Sequence, residues 1–69
     1  MTLSQWFDAW VAGQTSVTAR WDIEQCPLSD APMVPFGYTG TIEDIADGYL
    51  WVDFGGPYGV VCCDALELR

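Results

Sequence analysis

The sequence predicts a mainly β protein: a small closed antiparallel barrel of five short strands, preceded by one amphipathic helix. A chain of 69 residues allows one domain, here residues 1–69, with the helix in 1–13 and the barrel in 16–69. The apolar residues change from a helical period to a period of two after residue 14. Two turn signals then divide the second half into strands too short to bury both faces as a flat sheet. These observations together favour a barrel.

The first thirteen residues show the spacing of an amphipathic helix. Thr2 followed by Gln5 fits a capping box, with Ser4 as a competing cap, and Gly13 is placed to end the helix. One apolar stripe is expected along it, made of Leu3, Trp6, Phe7, Trp10 and Val11.

A helix this short is marginal in water by itself, so it must pack against something. One interpretation is that it covers an open end of its own domain. The other is that Trp6 and Trp10 anchor a partner or a second copy of the chain, as in a structural subunit of a larger particle. The sequence leaves both interpretations open.

The first strand is predicted by alternation of apolar and polar residues, with Val17, Ala19, Trp21 and Ile23 on one face. Residues 25–38 contain three prolines, which exclude a helix or a central strand. They predict a long irregular loop, part of which packs on the core through Met33, Val34 and Phe36.

Four further segments complete the predicted barrel. Thr39–Ala46 and Tyr49–Phe54 form a hairpin, because the Asp47-Gly48 turn between them suits two positive φ angles. Leu50, Val52 and Phe54 then share one face of the second strand. A strand over Tyr58–Cys63, a tight turn at 64–66 and a terminal strand ending at Arg69 follow.

This order of turns and strands resembles that of the SH3-like barrels, from about residue 16 to residue 69. The resemblance is carried by the long loop after the first strand and by two runs, GTIEDIADGYLWVDF (40–54) and GVVCCDALEL (59–68). The second run is similar to the SH3-like sequence of fourth strand, 3₁₀ turn and short fifth strand. The acidic-aromatic first loop of peptide-binding SH3 domains is absent, so the resemblance implies a fold and not a function.

Composition excludes several classes of function. Ten acidic residues against two arginines, with no lysine and no histidine, give a net charge of −8. Direct binding to nucleic acid is therefore not expected, because it requires basic side chains. No enzyme is expected either, since the usual general bases and nucleophile partners are missing.

No cofactor or metal is expected. Cys62 and Cys63 are adjacent, so in a strand their side chains point to opposite faces and cannot share an ion. One is expected to be a core residue and the other partly exposed. With Cys26 they form no even disulfide framework, and the N-terminus is not a signal peptide, so a cytoplasmic protein with no membrane association is predicted.

The acidic side chains are the main functional signal. Solubility alone would be served by mixed charge, whereas −8 on so small a fold adds self-repulsion. We therefore expect electrostatic recognition of a partner, with apolar contact from Tyr49, Trp51 and Tyr58. The carboxylates expected outside the barrel are Asp22, Glu24, Glu43, Asp44, Asp47 and Asp53, extended by Asp8 and Asp30.

The sequence favours a non-catalytic inhibitor or adaptor that occupies a basic, nucleic-acid-binding site on a protein partner. By size and charge only, the chain resembles the small acidic inhibitors that phages and mobile elements direct at host nucleases, including anti-CRISPR proteins. An alternative is a module similar to Tudor and chromo domains. It would bind a cationic peptide in an aromatic cage drawn from Tyr38, Tyr49, Trp51 and Tyr58.

Overall fold

The fold is one antiparallel sheet with a helix packed against it, seen in a computed structural model that describes residues 1–24 and 32–69. The sheet order is β1-β2-β3-β4, so β1 and β4 lie at its two edges. The mainly β class is therefore confirmed. The elements are α1 (Leu3–Val11), β1 (Ser16–Thr18), β2 (Thr39–Ala46), β3 (Tyr49–Asp53), β4 (Val60–Cys63) and a 3₁₀ helix (Ala65–Glu67).

The sheet is open, and the described residues do not form the five-stranded barrel expected from the sequence. The segment after the 3₁₀ helix makes one isolated bridge, from Leu68 to Ala19, in place of a fifth strand. Thr18 and Arg69 exchange two backbone hydrogen bonds of 2.9 Å beside that bridge. A further backbone hydrogen bond of 2.8 Å joins the Arg20 N–H to the Glu67 carbonyl, and the pairing ends where the chain bends at residues 20 and 21 and leaves the line of β1.

This bend also changes the first predicted strand. Val17, Ala19 and Ile23 are buried as expected, and Ile23 forms a bridge with Val34. Trp21 does not follow the alternation, since its side chain is 47% exposed. A period of two holds only while the backbone stays extended, and the bend falls at this position.

The helix begins and ends where the sequence predicts. Thr2 and Gln5 form the capping box, each side chain accepting from the other's backbone N–H. Gly13 takes a φ of +103°, and its N–H donates to the Trp10 carbonyl at 3.0 Å. The N–H of Gln14 donates to Ala9 at 2.9 Å, which completes a Schellman motif.

Only part of the apolar stripe of α1 reaches the core. Trp6 is 1% exposed, and Leu3 and Trp10 pack beside it. Phe7 and Val11 face solvent, at 46% and 68% exposure. The helix thus packs on the core of its own domain, in agreement with the interpretation that it covers an open end of that domain. Contact with a second copy stays a prediction, and Trp6 has no free surface to offer it.

The β2–β3 hairpin supplies the centre of the core. Asp47 and Gly48 have φ angles of +57° and +83°, which confirms the predicted tight turn. Leu50, Val52 and Phe54 all face inward. The buried apolar residues are Trp6, Val17, Ala19, Ile23, Val34, Ile42, Leu50, Val52, Phe54, Val61, Cys63 and Leu68.

The long loop is described only from residue 32 onward. Val34 is fully buried, as expected, whereas Met33 and Phe36 are 46% and 58% exposed. Cys26 and Asp30 lie outside the described residues.

Candidate protein-binding surface

The side of β2, β3 and β4 that faces away from the core, here called the outer face, carries most of the candidate residues. On β3, Tyr49, Trp51 and Asp53 alternate with the buried Leu50 and Val52, as the sequence predicts. Tyr49 is 42% exposed, while Trp51 and Asp53 are half-buried. The outer face therefore combines aromatic rings with carboxylates.

A β-bulge brings two adjacent carboxylates of β2 to the outer face. Ile42 pairs with Val52, but the next pair is Asp44 with Trp51, so Glu43 is the extra residue. A regular strand would turn one of two neighbouring side chains toward the core. Both Glu43 and Asp44 are exposed because the bulge interrupts that alternation.

Trp51 lies at the centre of the outer face. Its partners are Asp44 on β2 and Cys62 on β4. The indole Nε1 donates to the Ala46 carbonyl at 3.3 Å, which directs the ring along β2 toward the hairpin turn. Its polar atom is thus satisfied within the chain, and the rest of the ring remains available as an apolar contact beside Asp44.

Asp53 occupies the other end of β3. It pairs with Thr41 and Val60, and its Oδ1 accepts from the N–H of Gly55 at 2.8 Å. Asp44 Oδ1 similarly accepts from the N–H of Ile45 at 2.8 Å. These short bonds fix both carboxylates relative to the sheet.

A second group of carboxylates lies at the end of β4, where the predicted Asp47 is joined by Asp64 and Glu67, which sequence reasoning missed. Asp64, Glu67 and Asp47 lie close enough to Cys62 to raise the pKa of its thiol, after the larger effect of burial. Leu50 pairs with Cys63, so the turn before β3 lies beside the residues that follow β4. The β3–β4 pairing follows from the predicted order of strands, and it could have located Asp64 and Glu67 beside Asp47. We call Asp47, Asp64 and Glu67 the acidic end.

Asp22 and Glu24 do not belong to the outer face. They follow β1, at the opposite edge of the sheet from β4. Both are exposed, and Asp22 Oδ1 accepts from the Phe36 N–H at 2.8 Å. The six predicted carboxylates therefore lie in two regions, with Glu43, Asp44, Asp47 and Asp53 on the hairpin.

The candidate aromatic residues also separate into two groups. Tyr38 and Tyr58 are in edge-to-face contact, with ring centroids 5.1 Å apart, and the side-chain hydrogen bond between them raises the pKa of Tyr58. Tyr49 begins β3, whereas Tyr58 lies in the turn that follows the opposite end of that strand. A cage made from all four candidate rings is therefore not assembled.

Each of the two arginines packs its guanidinium group on an aromatic ring. The Arg20 guanidinium carbon lies 5.8 Å from the Trp21 ring centroid, and that of Arg69 lies 5.3 Å from the Phe36 ring. Throughout residues 1–24 and 32–69, neither arginine forms an ion pair with a carboxylate. The negative charge of the outer face thus remains directed to solvent.

The two described thiols differ in environment, as the sequence predicts. Cys63 is buried, and burial, with the nearby Glu67 charge, raises its pKa to about 12. Cys62 is exposed, and its raised pKa also disfavours the thiolate. Since the thiolate is the nucleophile and the metal ligand, neither is prepared for that chemistry.

The described residues bear on both metal binding and membrane association. No group of three or more His, Cys, Asp or Glu side chains in this part of the chain is arranged to hold a metal ion. Within the same residues, no helix combines the length and the apolar character needed to cross a membrane.

Comparison of the chain with protein-family models, with curated proteins and with solved structures found no match.

Proposed function

We propose that this protein is a non-catalytic binding protein whose outer face occupies a basic, nucleic-acid-binding site on a protein partner. In this role it acts as an inhibitor or adaptor in the cytoplasm and does not itself bind nucleic acid. Its small size and net charge of −8 are in keeping with the phage-type inhibitors that it resembles.

One observation carries this proposal. The bulge at Glu43 directs two neighbouring carboxylates to solvent opposite the half-buried Trp51. An indole beside exposed carboxylates can combine an apolar anchor with electrostatic steering of a basic partner. Because the arginines stack on rings elsewhere, these carboxylates are available to an external cation.

We also propose that the fold is an SH3-like arrangement in which the terminal segment acts as a short fifth strand. The Ala19–Leu68 bridge and the backbone hydrogen bonds between residues 18–20 and 67–69 support it. The 3₁₀ helix at Ala65–Glu67, directly after β4, occupies the position of the SH3-like 3₁₀ turn. This arrangement accounts for the outer face, since it leaves β2, β3 and β4 uncovered on one side.

The cationic-peptide alternative finds less support. The edge-to-face packing of Tyr38 on Tyr58 fills the space that a cation would need between these rings. A cage at the other end of β3 would have only Tyr49 and Trp51.

The test uses two charge-reversed baits of equal net charge. E43K/D44K changes the outer face, and D8K/E24K changes two exposed carboxylates elsewhere. Each double substitution adds four charges, so both baits go from −8 to −4. Partners are captured from a cell extract and identified by mass spectrometry, and affinities are then measured with the purified partner.

We expect wild type and D8K/E24K to bind the same partner and E43K/D44K to lose it. Affinity should fall steeply between about 50 and 200 mM salt, and duplex DNA should compete. Equal binding by both baits would exclude the proposed surface. Salt-independent binding would exclude the electrostatic mechanism.

A further inference from the structure

The free edge of β4 is a second recognition element. Among the strands of the described residues, β4 is the last in the sheet order and pairs only with β3. In the part of the chain that the structure describes, Val60–Cys63 make no backbone hydrogen bond outside that pair. Such an edge presents unpaired N–H and C=O groups to an incoming strand.

The register identifies which groups point outward. The Phe54 N–H donates to the Gly59 carbonyl at 3.0 Å, which makes residues 54 and 59 a hydrogen-bonded pair. Bonded and non-bonded pairs alternate in an antiparallel ladder, so Val61 and Cys63 bond to β3. Val60 and Cys62 therefore direct their N–H and C=O groups away from β3, toward the free edge.

Although β4 is short, with four residues, it lacks the other usual protections of an edge strand. Its sequence, Val-Val-Cys-Cys, has no charged residue and no proline, and its register with β3 has no bulge. Val60 is 55% exposed, and Cys62 is exposed beside Trp51. Natural proteins normally blunt such an edge with charge, proline or a bulge. An unprotected edge that continues the outer face is suited to strand addition.

The negative charge near β4 determines which kind of segment can pair with its free edge. Asp47, Asp64 and Glu67 lie around the end of β4 and are close enough to Cys62 to influence its thiol. A second copy of the chain would bring its own net charge of −8 to this edge and be repelled. A segment bearing lysine or arginine would be attracted instead.

We propose that the edge of β4 binds an extended segment of the protein partner as an added antiparallel or parallel strand. Apolar or β-branched residues of that segment lie beside Val60 and Cys62, and its basic residues meet the acidic end. This inference rests on the proposed function and names the form in which the partner binds. Main-chain hydrogen bonds supply affinity, and the basic residues supply selectivity.

The probe is a synthetic peptide of about ten residues with alternating Val and Thr followed by Lys and Arg. A matched peptide carries Glu in place of the basic residues. The protein variants are C62P and C62T. C62P removes the outward N–H of residue 62, and proline is tolerated there because the preceding residue is extended. C62T keeps this N–H. Binding is measured by fluorescence anisotropy, with retention of the wild-type near-ultraviolet circular dichroism as the check on folding.

We expect the basic peptide to bind wild type and C62T, C62P to bind it roughly tenfold or more weakly, and the Glu peptide not to bind. In wild type, the peptide should slow amide hydrogen exchange at Val60 and Cys62, while Val61 and Cys63 are already protected by β3. This exchange measurement decides the question even when C62P does not fold.

Three results with the peptide would each overturn the inference: no binding of the basic peptide to wild type, equal binding to C62P and C62T, or unchanged exchange at Val60 and Cys62. A wild-type dimer that C62P abolishes would assign the edge to a second copy and would also overturn it. If the peptide experiments fail but E43K/D44K still loses the captured partner, only the strand-addition inference is excluded and the proposed function stands. If E43K/D44K still captures the partner and the basic peptide still binds, the outer face is excluded as the partner's binding surface instead.

Discussion

The indole Nε1 of Trp6 donates a hydrogen bond of 3.2 Å to the carbonyl of Ala65, 59 positions later in the chain. This bond joins α1 to the 3₁₀ helix that follows β4. The ring itself is 1% exposed and belongs to the same buried cluster as β3 and β4. A buried indole with its polar atom satisfied is an effective core residue, so α1 is part of the fold.

Replacement of this ring should therefore be severely destabilising. W6A removes a fully buried indole, and we expect the free energy of unfolding to fall by about 3–5 kcal/mol. F7A, one position along the same helix and 46% exposed, is the matched control and should cost much less. Urea denaturation followed by far-ultraviolet circular dichroism measures both. Similar losses in the two variants would show that α1 does not pack as described.

Gly40 is required in β2 for steric reasons. A Cβ at this position would lie 2.6 Å from Val52 Cγ1, 2.8 Å from Phe54 Cδ1 and 2.9 Å from the Asp53 carbonyl oxygen. G40A should thus cost about 1–3 kcal/mol through overpacking. T41A, at the next and exposed position, is the control and should be near neutral. The urea midpoints of the two variants test the prediction, and a stable G40A would contradict it.

Asp22 should matter for the fold more than for binding. Its Oδ1 accepts from the Phe36 N–H and joins the segment after β1 to the end of the proline-containing loop. We expect D22A to lose about 1 kcal/mol of stability. D22N keeps an acceptor oxygen and should retain most of it. Equal stability of D22A and D22N in urea would show that this hydrogen bond contributes nothing.

The parts of the fold that the sequence could predict are those fixed by local chemistry. The Thr2–Gln5 capping box, Gly13 at the helix end and the Asp47-Gly48 turn depend on a few neighbouring residues. The opposite faces of Cys62 and Cys63 follow from strand geometry alone. Each of these features appears in the structure as predicted.

The remaining features depend on contacts distant in sequence. One is the bend at Trp21, and another is the exposure of Phe7 beside the buried Trp6. Both depend on which surfaces of the sheet the rest of the chain covers. The bulge at Glu43 is a property of two paired strands. Asp64 and Glu67 were missed because they come near Cys62, as Asp47 does, only after β4 has paired with β3.

Stability should fall at alkaline pH because of Cys63. Burial raises the pKa of its thiol to about 12 in the folded chain, against a reference value of 9.0. An acid with a raised folded pKa contributes its full stability below the unfolded pKa. That stability is lost as pH rises from about 9 toward 12, since only the unfolded chain releases the proton in this range.

The measurement is the urea midpoint of wild type and C63V at pH 7, 9 and 10. Valine is apolar and does not titrate, so C63V should lose less stability over this interval than wild type. C62S is the comparison for an exposed thiol whose pKa is also raised, and it should depart from wild type in the same direction but by less than C63V. Parallel pH profiles for wild type and C63V would exclude this explanation.

The outer face should be costly to the fold in the absence of a partner. Glu43 and Asp44 are adjacent, exposed and directed to the same side by the bulge, and they belong to a chain of net charge −8. Their mutual repulsion is weakened by salt, because exposed charges are screened over about 10 Å at 0.1 M ionic strength. We expect wild type to gain stability as salt is raised from about 10 to 500 mM.

The double variant E43Q/D44N removes both charges and keeps acceptor oxygens at both positions, including the one that bonds to Ile45. It should be more stable than wild type at low salt, and the difference should shrink as salt is added. Its affinity for the partner should fall at the same time, because the same carboxylates are proposed to contact it. A variant that is less stable than wild type at low salt would show that these two carboxylates support the fold. In that case the bulge would have a structural reason, and the exposure of these carboxylates would no longer indicate a recognition surface.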